Sequence, residues 1–339
     1  MRSLRVYIIT RILLTIPMLF ILVTLVFFIM RVLPGDPVKA IIRPGAPQEY
    51  IDEIRHSLGL DRPLLVQYVD YLGDLVRLDL GTTLAPVRGR SVLQDLKDKF
   101  PATLELSLAA ILVASLVGIL TGVQSAYHRR SALDYSLRLY SIVIYTIPVF
   151  WLGLMLQLIF GVKLGWLPVY GRVDTLDMAP RTITGLYIVD SILTKNQESL
   201  INSLQHLILP ALTLGLYLSG VFTRLTRSNM LDVLRQDFIT AARARGIAER
   251  AVIYRHALKN AFIPVLTMMG LQFALLLAGA VLTESTFTWP GLGRLLVERI
   301  EYRDFPTVQG AVVFFAILVS LVSLVVDIIY AYLDPRIRY

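Results

Sequence analysis

Long apolar stretches alternate with charged connections along the chain. Six of these stretches approach the length of roughly 20 residues that a helix needs to cross a hydrocarbon core of about 30 Å. They cover residues 8–30, 103–127, 139–160, 207–222, 262–282 and 308–333, of which the fourth is short and contains Pro210. The pattern predicts an all-α membrane protein with six transmembrane helices.

Composition agrees with this prediction. Of the 339 residues, 55% are hydrophobic and 17% are charged, and the mean hydropathy is +0.65. The net charge of +8 would suggest a nucleic-acid partner for a soluble protein, but in a membrane protein a basic surplus reflects cytoplasmic loops, so no nucleic-acid partner is expected. The absence of cysteine from the sequence excludes disulfides and thiolate metal sites.

Basic residues indicate the orientation, because Lys and Arg beside a span stay in the cytoplasm. They concentrate at the amino terminus, after the second span, between the fourth and fifth spans and in the carboxyl-terminal tail. The members are Arg2, Arg5, Arg11, Arg129, Arg130, Arg138, Arg224, Arg227, Arg235, Arg243, Arg245, Arg250, Arg255, Lys259, Arg336 and Arg338. Six spans place all four regions on one side, so both termini are expected in the cytoplasm.

The long connections on the other side differ in pattern. In the first, apolar residues recur at helical spacing in two groups, which predicts short amphipathic helices on the outer membrane face. The groups are Tyr50, Ile51, Ile54 and Leu58, then Leu65, Tyr68, Val69, Leu72 and Val76. The connection at 161–205 shows no clear period, and its structure stays open. The expected division is 1–31 for the amino terminus and first helix, 32–100 for a helical extracytoplasmic insertion, and 101–339 for a core with a cytoplasmic loop at 225–260.

The residues that enzymes use are missing or scattered. The four histidines, His56, His128, His206 and His256, form no HExxH pair, and neither a GxSxG elbow nor a Walker phosphate loop occurs. We therefore predict no catalytic, metal-binding or cofactor-binding residue. If ATP drives this protein, a partner chain binds the nucleotide.

Ionisable residues within the spans are few. Ion-coupled transport usually places such groups near the middle of several spans. Glu105 suits the first turn of a helix, where the dipole favours a carboxylate, and Asp327 lies near the cytoplasmic end of the sixth span. An ion-coupled secondary transporter or channel that acts without an ATPase is the alternative function, and a membrane-bound scaffold is a third.

The segment "TAARARGIAERAVIYRHALKN", residues 240–260, is basic and rich in alanine although it lies between two spans. Residues 238–245 favour a helix, Gly246 is a natural stop, and residues 248–259 favour a second helix. The apolar and small residues Phe238, Ala241, Ala242 and Ile247 suit a partner's groove. A helix lying on anionic lipid explains the same composition, so the residues alone leave both interpretations open.

A resemblance separates these interpretations. "TAARARG" followed by "HALKNAFIPV" resembles the coupling loop of binding-protein-dependent ABC importer permeases, whose signature is Glu-Ala-Ala, three residues, then Gly. Thr240 replaces the Glu and Pro264 lies further from Gly246 than usual, and both departures are typical of the dipeptide, oligopeptide and nickel branch. Further similar segments are "LPGDP" (33–37), "LGLDRPLLVQY" (58–68), "DLG" (79–81), "PATLEL" (101–106), "TRSNMLDVL" (226–234), "WPGLG" (289–293), "RDFPTVQG" (303–310) and "DPRIR" (334–338).

This resemblance implies a six-helix type I ABC importer permease fold in the inner (cytoplasmic) membrane of a prokaryotic cell. Two homologous permease subunits would form the pathway, an extracytoplasmic solute-binding protein would deliver a peptide substrate, and two ATPase subunits would carry ATP and Mg. Membrane lipid would surround the spans. The ATPase-coupling residues would be Phe238, Thr240, Ala241, Ala242, Arg243, Arg245, Gly246 and Ile247.

A second segment, "ESTFTWPGLGRLL", follows the fifth span. Pro290 and Gly291 suit the centre of a type II turn, and Trp289 suits the membrane–water boundary. One hypothesis is an outer gate or a seat for the binding protein, formed by Glu284, Trp289, Pro290, Gly291 and Gly293. The other is a turn with a purely structural role.

Overall fold

The computed structural model describes residues 4–32, 38, 47–57, 59–84, 86 and 88–333. The similar segments at 33–37 and 334–338, Leu58 and the side chain of Asp327 therefore lie outside the described residues. The helices are α1 Leu4–Val32, α2 Gln48–Ser57, α3 Leu64–Val76, α4 Val92–Tyr127, α5 Ala132–Thr146, α6 Val149–Leu156, α7 Tyr187–Leu193, α8 Gln197–Val233, α9 Asp237–Ala244, α10 Leu258–Leu277, α11 Val281–Thr286, α12 Leu292–Glu301 and α13 Phe305–Leu333.

Helices long and apolar enough to cross a membrane confirm the predicted class. Within the described residues there are five, which lie along α1, α4, α8, α10 and α13, and the bent pair formed by α5 and α6 makes six if it counts as one span. Helices suit this environment because they satisfy their backbone hydrogen bonds internally, without water.

The third predicted span, 139–160, is not one straight helix. The chain bends by 100° between α5 and the helix that starts at Val149. Ile147 has extended backbone angles, φ −66° and ψ 129°, because Pro148 disfavours a helical conformation in the residue before it. A π-helical turn, Gln157–Lys163, continues α6.

Other boundaries also differ from the prediction. The second helix begins at Val92 and contains Pro101, and the fourth extends over Gln197–Val233 with Pro210 inside it. Both helices therefore continue well beyond their apolar stretches. The fifth helix, α10, ends at Leu277 and does not reach residue 282, because Gly279 has a φ of +109° that interrupts it.

The centre of the bundle is the parallel pair α4 and α8. A Cβ atom at Gly118 would lie 2.5 Å from the Phe222 Cβ, and one at Gly122 would lie 2.6 Å from the Thr226 Cβ. These glycines therefore let the two helices approach closely, as small residues do between membrane helices. The Thr121 and Thr223 hydroxyls share a hydrogen bond of 2.8 Å across the same contact.

The directions of the remaining helices define two ends of the bundle. Helix α13 packs antiparallel to both α1 and α10, and α5 packs antiparallel to α8. The starts of α1 and α5 and the ends of α4 and α13 therefore lie at the same end as residues 234–257. We call this the basic end, and the other the opposite end.

The predicted amphipathic helices of the first connection are confirmed as α2 and α3. Helix α3 packs on α1, where the Tyr71 ring stacks on Phe27 with 5.4 Å between ring centroids. The Tyr68 and Thr24 hydroxyls share a hydrogen bond of 2.6 Å. The first connection is thus fixed to the transmembrane bundle at the opposite end.

Candidate functional site

Helix α9 lies across the basic end, attached by its apolar face. Ile239 and Ala242 are buried in a cluster to which four parts of the chain contribute. The other buried members are Val123 and Ala126 of α4, Met230 and Val233 of α8, and Val252, Ile253, Ala257 and Ala261 near the start of α10. Its anchors come from three long helices, so α9 is held against the bundle.

Gly246 ends α9 as predicted. Its φ is +73°, a left-handed conformation that glycine adopts without strain. Its N–H donates to the Arg243 carbonyl at 2.9 Å, and the Ile247 N–H donates to the Ala242 carbonyl at 3.3 Å. The Arg243 side chain closes the turn through an ion pair of 2.7 Å with Glu249. The chain then continues as a single turn, Glu249–Ala251, and a π-helical turn, Val252–Ala257, into α10.

The outward face of α9 carries part of the predicted set. Phe238 is 40% exposed, and Thr240, Ala241, Arg243, Arg245 and Gly246 are exposed as well. Of the residues expected to enter a partner's groove, Ala242 is buried against the spans and Ile247 is half-buried in the same cluster. Ala242 shares a face with Ile239, three residues earlier, and this face packs against the bundle, whereas Ile247 follows the end of the helix.

An ion-pair cluster next to α9 was missed by the sequence analysis. Asp134 at the start of α5 is buried and accepts two hydrogen bonds of 2.8 Å from Arg227 of α8. The Ser125 hydroxyl of α4 donates to the same carboxylate at 2.6 Å. This cluster ties three helices together at the basic end. The sequence offered no signal for it, because the three residues are separated by up to 102 positions.

At the opposite end, Trp289 is fully buried inside the protein and contacts neither lipid nor water. Its indole N–H donates to the Ala102 carbonyl of α4 at 2.8 Å. The type II turn was wrong, because Gly291 has a φ of −96° and the left-handed residue nearby is Thr288. The Pro-Gly pair suggested a type II turn, whereas the segment has other backbone angles and packs into the bundle.

Glu284, also fully buried, organises the start of α12. Its carboxylate accepts the Thr103 hydroxyl at 2.7 Å and the Arg294 N–H at 2.9 Å. Thr103 in turn accepts the Leu292 N–H at 2.8 Å. Two N–H groups at the helix start, which lack partners inside the helix, are thus satisfied by residues remote in sequence. Burial raises the pKa of the Glu284 carboxyl, because its charged form loses hydration.

Gly291 and Gly293 provide room for this arrangement. A Cβ atom at Gly291 would lie 2.5 Å from both the Thr103 Oγ1 and the Glu284 Cδ, and one at Gly293 would lie 2.9 Å from the Val281 Cα. All five residues predicted as an outer gate therefore belong to one packed segment. The structural alternative accounts for these contacts, and the outer gate stays a prediction.

Glu105 forms a second buried contact at this end. It was expected in the first turn of a helix, but α4 starts at Val92, so Glu105 lies well inside the helix. The Arg172 Nε donates to its carboxylate at 2.9 Å and the Ile188 N–H donates at 2.8 Å. The Arg172 guanidinium also stacks on Tyr187 at 3.7 Å. This pair fastens the connection at 161–205, which the sequence left open, and Arg172 gave no signal there.

Two family models match this chain. Residues 114–339 match the family model of the binding-protein-dependent transport system inner membrane component. Residues 4–108 match the model for the amino-terminal part of membrane components of such systems. The first match contains α9, and the second contains the insertion.

Several curated proteins are similar over nearly the whole chain. The di/tripeptide transport system permease protein DppB of Pseudomonas aeruginosa is 46% identical over 329 residues, 96% of each chain. The dipeptide transport system permease protein DppB of Alkalihalophilus pseudofirmus is 41% identical over 98% of this chain and 99% of its own. The probable D,D-dipeptide transport system permease protein DdpB of Escherichia coli is 44% identical, with 92% and 91% covered. The chain therefore belongs to the family of inner membrane components of binding-protein-dependent transport systems.

Proposed function

We propose that this multi-pass membrane component is the permease subunit of an ATP-driven importer of short peptides. Peptide cargo is supported by the names of the relatives that match nearly the full chain, which are permeases for dipeptides or tripeptides. In this proposal a solute-binding protein releases the peptide at the opposite end, and the chain forms half of the pathway with a homologous permease.

One observation carries the coupling part of the proposal. Helix α9 is anchored through Ile239 and Ala242 but leaves Phe238 exposed at the basic end. An exposed aromatic side chain on a fixed helix is a suitable anchor for a groove in a partner. We place ATP and Mg on two ATPase subunits that bind α9 and its counterpart in the homologous permease, and closure of these subunits would push on the ends of α4, α8 and α10.

The same proposal fixes the orientation. The start of α1 and the end of α13 lie at the basic end, as α9 does. Both termini therefore belong in the cytoplasm if α9 binds a cytoplasmic ATPase. An exposed leucine stripe on α4 supports lipid and the second permease as neighbours of the bundle. Its members are Leu108, Leu112, Leu116 and Leu120.

Ion-coupled transport, the alternative function, would rely on the carboxylates of Glu105 and Asp327. Glu105 is unsuited to this role. Glu105 accepts two side-chain hydrogen bonds from Arg172 and both residues are 7% exposed. A carboxylate that is paired and shielded in this way is not a free ion-binding group, because separating it from its partner leaves a buried charge uncompensated.

Uptake by a reconstituted complex tests the proposed function. The chain, its co-purifying subunits and the binding protein are placed in proteoliposomes, and entry of a radiolabelled dipeptide is measured with ATP, without ATP and with an ion gradient alone. We expect uptake only with ATP, and expect Gly246→Asp to abolish it. Uptake driven by the ion gradient alone would refute the proposal.

A further inference from the structure

A polar pocket of about 390 Å³ lies at the opposite end, between the insertion and the bundle. Its walls come from the end of α1, from α3 and the turn before it, and from the start of α13. Sites for small molecules commonly have volumes of roughly 300–1,000 Å³, so the pocket is large enough for a small ligand. It is separate from α9 and from the Trp289 segment.

Unsatisfied polar atoms converge in the buried part of this pocket. Gln309 of α13 is only 7% exposed, and its amide nitrogen has no hydrogen-bond partner. The Arg31 Nε and the Gln67 amide oxygen are likewise buried without a partner, and the Tyr71 hydroxyl, which lies beside the Gln309 side chain, makes no well-formed hydrogen bond. Buried polar groups are normally hydrogen-bonded, since an orphan costs about 1–3 kcal/mol. Four orphans lining one pocket therefore indicate a missing partner.

Three of these four atoms require an acceptor, and the fourth, the Gln67 amide oxygen, requires a donor. Arg31, Tyr71 and Gln309 each offer an N–H or O–H donor, and burial raises the pKa of the Tyr71 hydroxyl, which keeps its proton. A carboxylate, with two oxygens and about four acceptor positions, satisfies several donors at once.

The rim of the pocket carries charges of both signs. Asp70, Asp74 and Asp79 supply carboxylates, and Arg62 and His56 lie beside them. Arg62 pairs with Asp70 at 3.2 Å, and the Asp79 carboxylate accepts the Gly81 N–H at 2.9 Å. Asp74 is exposed, and among the described residues its carboxylate makes neither an ion pair nor a hydrogen bond. The rim thus offers a carboxylate for an ammonium group.

From this arrangement we propose that the pocket binds a small zwitterion, an amino acid or a dipeptide. The ligand carboxylate lies against Arg31, Tyr71 and Gln309, and its ammonium faces Asp74 and Asp79. A purely anionic ligand or an acidic side chain of a protein would meet the rim carboxylates, and an inorganic cation would leave the deep donors unsatisfied. The lining residues alone carry this inference, so it holds whatever cargo the transporter moves.

Equilibrium binding of radiolabelled L-alanyl-L-alanine tests the proposal. The chain is used in lipid nanodiscs with its co-purifying subunits but without the binding protein and without ATP. We expect saturable binding, weakened about 10-fold or more by amidation of the carboxylate, since a hydrogen bond to a charged group contributes about 1.5–3 kcal/mol. N-acetylation should weaken it as well.

Two variants locate the ligand. Gln309→Leu preserves size and Tyr71→Phe preserves the ring that stacks on Phe27, and each should weaken binding about 10-fold. The control is Gln94→Leu, which changes an exposed amide of α4 outside the pocket. This variant should bind as the parent chain does.

Absence of saturable binding at millimolar dipeptide, or binding that both pocket variants leave unchanged, would overturn the assignment. So would equal affinity for the free acid and the amide. ATP-driven uptake is measured separately, so failure here leaves the proposed function standing.

Discussion

Gly291 has no side chain at the point where Glu284 and Thr103 approach it. We expect Gly291→Ala to destabilise the protein by about 1–3 kcal/mol, the usual effect of forcing a methyl group into a packed site. Gly73→Ala is the matched control, because its Cβ would have nothing within 4 Å and alanine favours a helix interior. Thermal unfolding in detergent measures both. Equal stability of the two variants would show that the segment around Trp289 adapts more easily than its contacts indicate.

Arg172 and Glu105 form a pair whose partners depend on each other. Arg172→Met should destabilise the protein by about 3–5 kcal/mol, because it leaves a buried carboxylate without its cation. Arg172→Met combined with Glu105→Gln should recover a large part of that loss. Arg181→Met, which changes an exposed arginine in the same connection, is the control. Thermal unfolding of the four proteins checks the coupling, and a double variant no more stable than Arg172→Met would contradict it.

At the scale of the element, adjacent residues of α9 have different tasks. Phe238→Ala should leave the apparent melting temperature unchanged and reduce the amount of ATPase that co-purifies, because Phe238 contacts solvent in the isolated chain. Ile239→Ala should instead destabilise the protein by about 2–5 kcal/mol, since it empties a buried site. Melting temperature and bound ATPase are measured on the same preparations. A Phe238→Ala chain that retains its ATPase and ATP-driven uptake would exclude this side chain as the docking contact.

Elements with a local signal were predictable from the sequence. The apolar stretches gave the all-α membrane class, the spacing of Leu72 and Val76 gave α3, and Gly246 gave the end of α9. The bend at Pro148 carried a signal in the residue type, but the hydropathy pattern alone does not report backbone direction. The burial of Trp289 and the pairing of Asp134 with Arg227 depend on contacts between distant helices, which no local pattern encodes.

At the scale of the whole molecule, the two ends have opposite roles only if the membrane separates them. The sequence contains no cysteine, so a single introduced thiol reports its own side of the membrane. Leu176 is 86% exposed at the opposite end, and Ala248 is exposed beside α9.

We expect a membrane-impermeant maleimide to label Leu176→Cys and not Ala248→Cys in spheroplasts, and to show the reverse pattern in inverted vesicles. Labelling of both variants in detergent controls for accessibility. Basic residues beside a span stay in the cytoplasm, and α9 lies at the basic end. Ala248 should therefore face the cytoplasm and Leu176 the outside. Labelling of Ala248→Cys in intact spheroplasts would place α9 outside the cell, where no ATP-hydrolysing subunit can reach it, and the coupling mechanism would then fail even if the fold were correct.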